Sequence, residues 1–502
     1  MEKCVRIILD KENYKGGLRM RTKKALSVFL IFAIFTALLP LHSFGAEDVW
    51  DGVLPPADAD AAYSGGSGSE DDPYIIATAA DLAQLSRNTN SISGYTLGKY
   101  FKQTADIYLN ESDVFAKSNG RITGVASGKT AKAWTPMGTY YYPFEGNYDG
   151  GKFAVKYLYV NRGSYDYNGL FGAVNNGTYI ANVVIEDSYI KGSSRSGAVA
   201  GYNFDGTIAN CINLGSTVEV SGESCGGIVG YNSSLVTNCY NAGYVTGRQY
   251  IGGIVGYNYA LVENCYNVGE IVGSFYSGGV VGFNFHDTVN QQGKIRYCYN
   301  AGQISEGYNN GGVAGYSPDS ATAMVDCYYL DTSIPAGTTT KGTALTDGQM
   351  RSQDSFAGFD FENVWIFDSS SEYPYPTLRV FLPVIAVTGV ELNETEVTLI
   401  VGESIELTAT VLPENATNKN IIWASSDEEV ASVSPDGTVT ALSEGTATIT
   451  VTTEDGGFTA QCEVTVEPEI KIPEQIKPAI DIIEMLLKFF SLLRDFLLRI
   501  FN

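Results

Sequence analysis

The sequence is poor in histidine and in positive charge. It holds two histidines, His42 and His286, and 32 lysines and arginines against 56 acidic residues, for a net charge of −24. The first shortage leaves little imidazole chemistry. No HExxH, CxxC or CxxH spacing occurs, so neither a metal nor a cofactor is expected. The second shortage, with no basic cluster in the body of the chain, excludes nucleic acid as a partner. Cysteine is also sparse, and seven of the 8 lie beyond the N-terminal leader. An odd number excludes complete internal pairing, and a dense disulfide framework is not expected.

The leader itself is an export apparatus. Arg19, Arg21, Lys23 and Lys24 precede the apolar run ALSVFLIFAIFTALLPL at 25–41, and Ser43, Gly45 and Ala46 close it. This is a charged region, an apolar region and a small-residue cleavage zone, so residues 1–45 read as a signal peptide. Met20 makes an equally good start. The run barely reaches spanning length, which leaves an uncleaved anchor as the alternative.

What the chain has in abundance is a repeat. GLFG at 169–172, GAVAGYN at 197–203, GGIVGYN at 226–232 and 252–258, GGVVGFN at 278–284 and GGVAGY at 311–316 recur at intervals of 26 to 33 residues. A second marker follows: NCIN at 210–213, NCYN at 238–241 and 264–267, YCYN at 297–300 and DCYY at 326–329. Such self-similarity predicts one supersecondary unit stacked on its neighbours. A unit near 26 residues suits one coil of three short strands, with Ile228 and Val229 forming one of them. Asn232 and Asn241 suit turns, because a short amide tolerates left-handed backbone and bonds locally. Cys211, Cys239, Cys265, Cys298 and Cys327 share one register and predict a buried column of thiols. Tyr231, Tyr257, Phe283 and Tyr316 share another, and Tyr240, Tyr266, Tyr299 and Tyr328 a third. Tyr257 and Phe283 are candidates for stacking on sugars, with packing between coils as the simpler reading.

The flanks differ in grammar. Residues 46–66 are acidic, rich in small residues, and read as a mobile linker. Residues 67–166 carry further β runs, and Thr78 with Asp81 resembles a capping box for a short helix over the open end of the stack. The repeats occupy 167–333, with the insert 286–294 bulging out as a loop. Residues 334–382, rich in aromatics, are expected to cap the C-terminal end. About seven alternating strands in 383–467 predict a small antiparallel sandwich with Trp423 in its core, and Cys462 has no partner there. After a linker at 468–478, residues 479–502 place Asp481, Glu484, Lys488, Ser491, Arg494, Asp495 and Arg499 on one stripe of a helix with a wide apolar face. A membrane surface and a partner helix are the alternatives for that face.

The fold class is therefore all-β: a right-handed parallel β-helix (a repeat solenoid), then an immunoglobulin-like β-sandwich and a short amphipathic C-terminal helix. The glycine motif followed by NCYN resembles the GLUG repeat of bacterial surface proteins. GSEDDPYIIATAADLAQL at 68–85 and the stretch from WTPMG to GGKFAV at 134–155 resemble the lead-in that often precedes such repeats. NIIWASSDEEVASVSPDGTVTALSEGTATITVTT at 420–453 is similar to the bacterial immunoglobulin-like domain of group 2. The resemblance implies an extracellular protein, secreted or on the cell surface of a bacterium. It also implies a non-enzymatic, adhesin-like role with a host or microbial surface glycan or protein as partner. Some repeat-bearing relatives are metallopeptidases, but their HExxH is absent here, as is an LPxTG sorting motif. No catalytic, cofactor-binding or metal-binding residue is expected. The alternative is a β-helical carbohydrate-active enzyme, a polysaccharide lyase or glycoside hydrolase. Its carboxylates would come from residues such as Asp149, Asp205 and Glu263, which fall at different repeat positions.

Overall fold

The computed structural model describes residues 49–285, 292–318, 322–335, 341–368, 373–382, 385–414, 416–469 and 477–500. The leader 1–45 with Met20, most of the insert 286–294 and most of the linker 468–478 lie outside the described residues. The chain forms two compact units, Met1–Leu382 and Pro383–Asn502.

The first unit is a parallel β-solenoid. Its coils use four strands where three were expected. One coil runs Thr178–Ala181, Val184–Glu186, Tyr189–Gly192 and Ala200–Asn203. The next lies in register on it, pairing Ile180 with Ile208, Val184 with Ile212, Ile190 with Val218 and Ala200 with Val229. Strand repeats stack into two sheets of 9 strands and two of 6. The first sheet begins at Tyr74–Ile76 and the second ends at Thr343–Leu345, so stacking extends well beyond the repeats.

The strand expected at Ile228 and Val229 is shifted to Val229–Asn232. The shift follows from the last glycine of the motif. A Cβ on Gly230 would sit 2.4 Å from the backbone of Arg195 and Ser196, so the strand runs against a corner of the preceding coil. Only glycine permits that approach. Inward side chains form aliphatic columns such as Ile180, Ile208, Val236, Val262 and Ile295, all fully buried. Each contributes about 1.5–3 kcal/mol relative to exposure. The five repeat cysteines are buried and free, and the backbone N–H of Cys239 donates to Cys265 Sγ at 3.3 Å.

The asparagines divide the work differently from the expectation. The left-handed residue is the first of each NCYN marker: Asn210, Asn238 and Asn264 have φ of 56°, 51° and 50°. Asn232 and Asn241 instead lie fully buried at strand ends. Each bonds locally, and each also donates its amide to the equivalent asparagine of the next coil. Asn203, Asn232, Asn258 and Asn284 form one such ladder at 2.8 to 2.9 Å. Asn213, Asn241, Asn267 and Asn300 form a second at 2.7 to 2.8 Å. A buried amide is tolerated only when its donors and acceptors are met, and in-register stacking meets them coil by coil.

Both flanking segments depart from their sequence reading. The described part of 46–66 is strapped onto the fold. Trp50 is buried edge-on to Trp134 at 5.6 Å, and its backbone N–H reaches Tyr108 O at 2.9 Å. The Asp58 backbone N–H donates to Asn88 Oδ1 at 2.8 Å. A few aromatic and amide anchors fix a segment whose composition alone suggests a linker. The helix Ala79–Ser91 follows, with the Thr78–Asp81 capping box formed in both directions. Its Leu82 and Leu85 join the solenoid core. At the other end, residues 346–382 do not simply close the stack. Phe356, Trp365 and Leu378 pack on the flank against Tyr266, Tyr299 and Tyr328, and the Tyr299 hydroxyl donates to Pro376 O at 2.6 Å.

In the second unit, Glu396–Ile400, Thr459–Glu467, Gly445–Thr453 and Ile421–Ser425 form a four-stranded sheet. Ser404–Glu406, Thr438–Ala441 and Ala431–Val433 form a three-stranded one, and Gly389–Leu392 pairs with Ala409–Leu412. Trp423 is part-buried and touches both apolar clusters of this unit. Cys462 is buried and free. The helix Lys477–Ile500 exposes Ile483, Leu487, Phe489, Phe490 and Leu492, each more than half accessible.

Candidate functional site: a hairpin-roofed cleft

A hairpin of Phe115–Ser118 and Arg121–Val125 crosses the third sheet of the solenoid. Its tip, Asn119–Gly120, has φ of 50° and 79°, the backbone that an Asn-Gly turn supplies without strain. Phe115 and Ile122 seat it against Tyr189, and Thr217 Oγ1 donates to Ile122 O at 2.8 Å. Lys117 pairs with Asp187 at 2.8 Å. Arg121 lies over the Tyr244 ring at 4.7 Å and pairs with Glu270.

Between hairpin and sheet is a cleft of about 380 Å³, lined by Asn119, Arg121, Thr217, Glu219, Tyr244 and Thr246 among others. Strand register assembles its floor, pairing Thr217 with Tyr244 and Glu219 with Thr246. One strand further on, Tyr189 is paired with Thr217 and Lys191 with Glu219, Tyr189 being buried under the hairpin. Glu219 accepts from the Tyr189 hydroxyl at 2.7 Å and from Lys191 Nζ at 2.8 Å. Burial by itself raises its pKa, but these two donors outweigh burial and hold the carboxyl below its ordinary value. Burial, then the Glu219 carboxylate, pushes the Tyr189 phenol up, so Tyr189 stays protonated. An ionised carboxylate thus faces a protonated phenol, with a guanidinium on the opposite wall.

A second charged cluster lies on the second sheet. Lys156 Nζ is 3.0 Å from Asp106 and 3.5 Å from Glu186. Burial raises the Glu186 pKa, Lys156 opposes it, and Asp187 and Asp106 add to the rise. The lysine fills the space between the carboxylates. Among the described residues no group of His, Cys, Asp and Glu is arranged to hold a metal.

The structure does not bring Asp149, Asp205 and Glu263 together. Asp149 and Glu263 occupy one register column of the first sheet, but Ala181, Ala209 and Thr237 stand between them. Four strand spacings separate the two by about 19 Å, too far for one glycosidic bond. Asp149 accepts from Asn182 Nδ2 at 2.8 Å and from Gly151 N–H at 2.9 Å, the role of a turn residue. Asp205 sits in the turn before Gly206–Ala209, and its backbone carbonyl accepts from Gly177 N–H. Tyr257 and Phe283 stack on one another at 5.1 Å and 16°, so they do pack between coils, yet both remain half-buried.

Glu219, Tyr189, Arg121 and Glu270 were not singled out from sequence. Aligning the coils places Lys191 beside Glu219, a legible signal. The arrival of Arg121, 149 residues before its partner Glu270, carries no local signal at all.

Comparison with known proteins bears on both units. Residues 386–464 match the bacterial Ig-like domain (group 2), and residues 247–272 match the GLUG motif. An alpha-L-arabinofuranosidase of Bifidobacterium longum subsp. longum is 54% identical over 84 residues, 17% of this chain and 8% of that one. A kappa-carrageenase of Pseudoalteromonas carrageenovora is 48% identical over 73 residues, 14% of this chain and 18% of that one. The matched lengths are those of one module, and the chain spans only a small part of these relatives. A crystal structure of a proposed immunoglobulin A1 protease from Bacteroides ovatus is similar at 21% identity and a TM-score of 0.40, over 65% of this chain and 98% of that one. The expectation of a non-enzymatic, adhesin-like protein is corrected by the first two relatives, which are carbohydrate-active enzymes. It rested on the resemblance to GLUG-repeat surface proteins and on carboxylates that fall at different repeat positions, and a site assembled from separate coils leaves no local motif in the sequence.

Proposed function

From a chain that carries a GLUG motif and a group 2 bacterial Ig-like domain, and that is extracellular or at the cell surface, we propose a carbohydrate-active enzyme that cleaves a polysaccharide in the hairpin cleft. The observation that carries the reading is the Glu219–Tyr189 hydrogen bond of 2.7 Å opposite Arg121. Hydrolysis by two carboxyl groups needs one of them protonated. In the cleft Glu219 is held ionised, and the protonated group beside it is a phenol. This set suits β-elimination from a uronate-containing chain. Glu219 takes the proton from the carbon next to the uronate carboxylate, and the bond from the neighbouring carbon to the glycosidic oxygen breaks. Tyr189 protonates the leaving oxygen, and an unsaturated sugar remains. The proton on Glu219 then returns to Tyr189 along their hydrogen bond, resetting both. Arg121 steadies the negative charge that builds on the substrate carboxylate.

Full-length protein incubated with a panel of uronate polysaccharides is expected to generate the ultraviolet absorbance of an unsaturated product. Glu219→Gln and Tyr189→Phe should each lower the rate by about 10² or more. No product from any uronate polysaccharide, or a Glu219→Gln variant at full rate, would overturn the proposal.

A further inference from the structure

The solenoid builds two aromatic ladders and treats them differently. Tyr240, Tyr266 and Tyr299 stack at 4.4 and 5.2 Å, and residues 346–382 roof them with Phe356, Trp365 and Leu378. The other ladder lies on the fourth sheet. Tyr202, Tyr231, Tyr257, Phe283 and Tyr316 follow one another at 4.8, 4.6, 5.1 and 4.4 Å. Phe204, Tyr250 and Tyr276 border it, 3.6 Å from Tyr202, 4.9 Å from Phe283 and 6.2 Å from Tyr316, but its first four rings stay only half-buried and Tyr316 is 39% exposed. It continues through Tyr167, stacked 5.9 Å from Tyr202, to Tyr140 and Tyr141, which are 54% and 84% exposed.

We infer that this ladder is a track that holds an extended polysaccharide chain on the sheet next in chain order to the one that floors the cleft. An aromatic row left open where its twin is sealed marks a surface with an occupant of its own. The ladder itself repeats along the axis, with one of its rings on each coil, four of five carrying a hydroxyl, over four coil spacings or about 19 Å, and Phe204, Tyr250 and Tyr276 add further rings at its edge. A linear polymer of repeated sugar units is the ligand that meets the same contact at every coil. Its CH faces suit the rings and its hydroxyls suit the phenols. Arg195, 5.6 Å from the Tyr167 ring and 6.0 Å from the Tyr231 ring, is neutralised by Asp166 at 2.6 Å. The track therefore grips by ring and hydroxyl contacts rather than by net charge. The inference rests on the proposed polysaccharide substrate, but the two can fail separately.

The test compares full-length protein with the double variant Tyr141→Ser/Tyr316→Ser, which alters exposed rings outside the cleft lining. Tyr165→Ser, at an exposed tyrosine outside the ladder, is the control. Retention in gels containing each uronate polysaccharide, and cleavage of long chains and of short oligosaccharides, are measured together. The double variant is expected to bind long chains about tenfold more weakly, with cleavage of short oligosaccharides unchanged. Equal retention of long chains by wild type and double variant overturns the track while leaving the cleft reading intact. Loss of retention in the double variant, with no cleavage by the wild type, keeps the track and overturns the cleft. A Tyr165→Ser loss as large as that of the double variant also overturns the track.

Discussion

Asn258→Ala probes the amide ladder at its centre. Asn258 Nδ2 donates to Asn284 Oδ1 at 2.8 Å and to Ala260 O at 2.9 Å. Its Oδ1 accepts from Asn232 Nδ2 at 2.9 Å and from Ala260 N–H at 3.3 Å. Asn232 Nδ2 keeps a bond to Ser234 O after the substitution. Buried Asn284 Oδ1 and the half-buried Ala260 N–H lose their Asn258 partner, while Ala260 O keeps its bond from Lys294 N–H. At about 1–3 kcal/mol for an unmet buried group, and less for the half-buried N–H, the loss comes to about 2–4 kcal/mol. Asn203→Ala, at the start of the same ladder, is expected to cost less. Asn203 Oδ1 already has no partner, and the Asn232 Oδ1 it serves also accepts from Ser234 N–H. One orphaned acceptor at Gly206 O corresponds to about 1–2 kcal/mol. Guanidinium titration followed by far-ultraviolet circular dichroism gives the solenoid transition for both variants. An Asn203→Ala midpoint as low as that of Asn258→Ala would refute the ladder reasoning.

Trp365→Ala should unseat the roof from Tyr266 and Tyr299 at a cost of about 3–5 kcal/mol, read as early proteolytic cutting within 346–382; a cutting pattern like wild type counts against the packing role. Glu219 has a depressed folded pKa, so its contribution to stability is complete above the unfolded value of about 4.3 and is lost as pH falls through the lower folded value. Glu219→Gln should therefore flatten the acid limb of a stability–pH curve, and an unchanged limb would show that Lys191 and Tyr189 do not hold this carboxylate in solution. Deleting residues 479–502 is expected to abolish flotation with liposomes, through the helix that exposes Leu487, Phe490 and Leu492; flotation of the deleted chain would rule out the helix as the anchor.

Stacking was legible because it is a one-dimensional code. Glycine, asparagine and cysteine recur at fixed intervals, and an in-register solenoid requires like residues to meet like. The Cys211-to-Cys327 column and the Tyr231-to-Tyr316 ladder could be written from spacing alone. Strand number per coil was less legible. Gly226–Gly227 looks like a break, yet Gly226 belongs to the strand Glu223–Gly226 that supplies part of the extra face. The strap at Trp50 and the flank position of Trp365 were hidden because each depends on one or two aromatic anchors within polar, loop-like sequence.

The sequence by itself determined the repeat, its register and the change to a sandwich after residue 382, because periodicity and alternation are properties of neighbours along the chain. Only the tertiary structure decided which residues share the cleft. Lys191 and Glu219 meet because successive coils superpose, and Arg121 reaches Glu270 because the hairpin folds back across the coils. Sequence distance carries no information about that return. It is set by where Phe115 and Ile122 find an apolar seat on Tyr189, a fact of packing rather than of order.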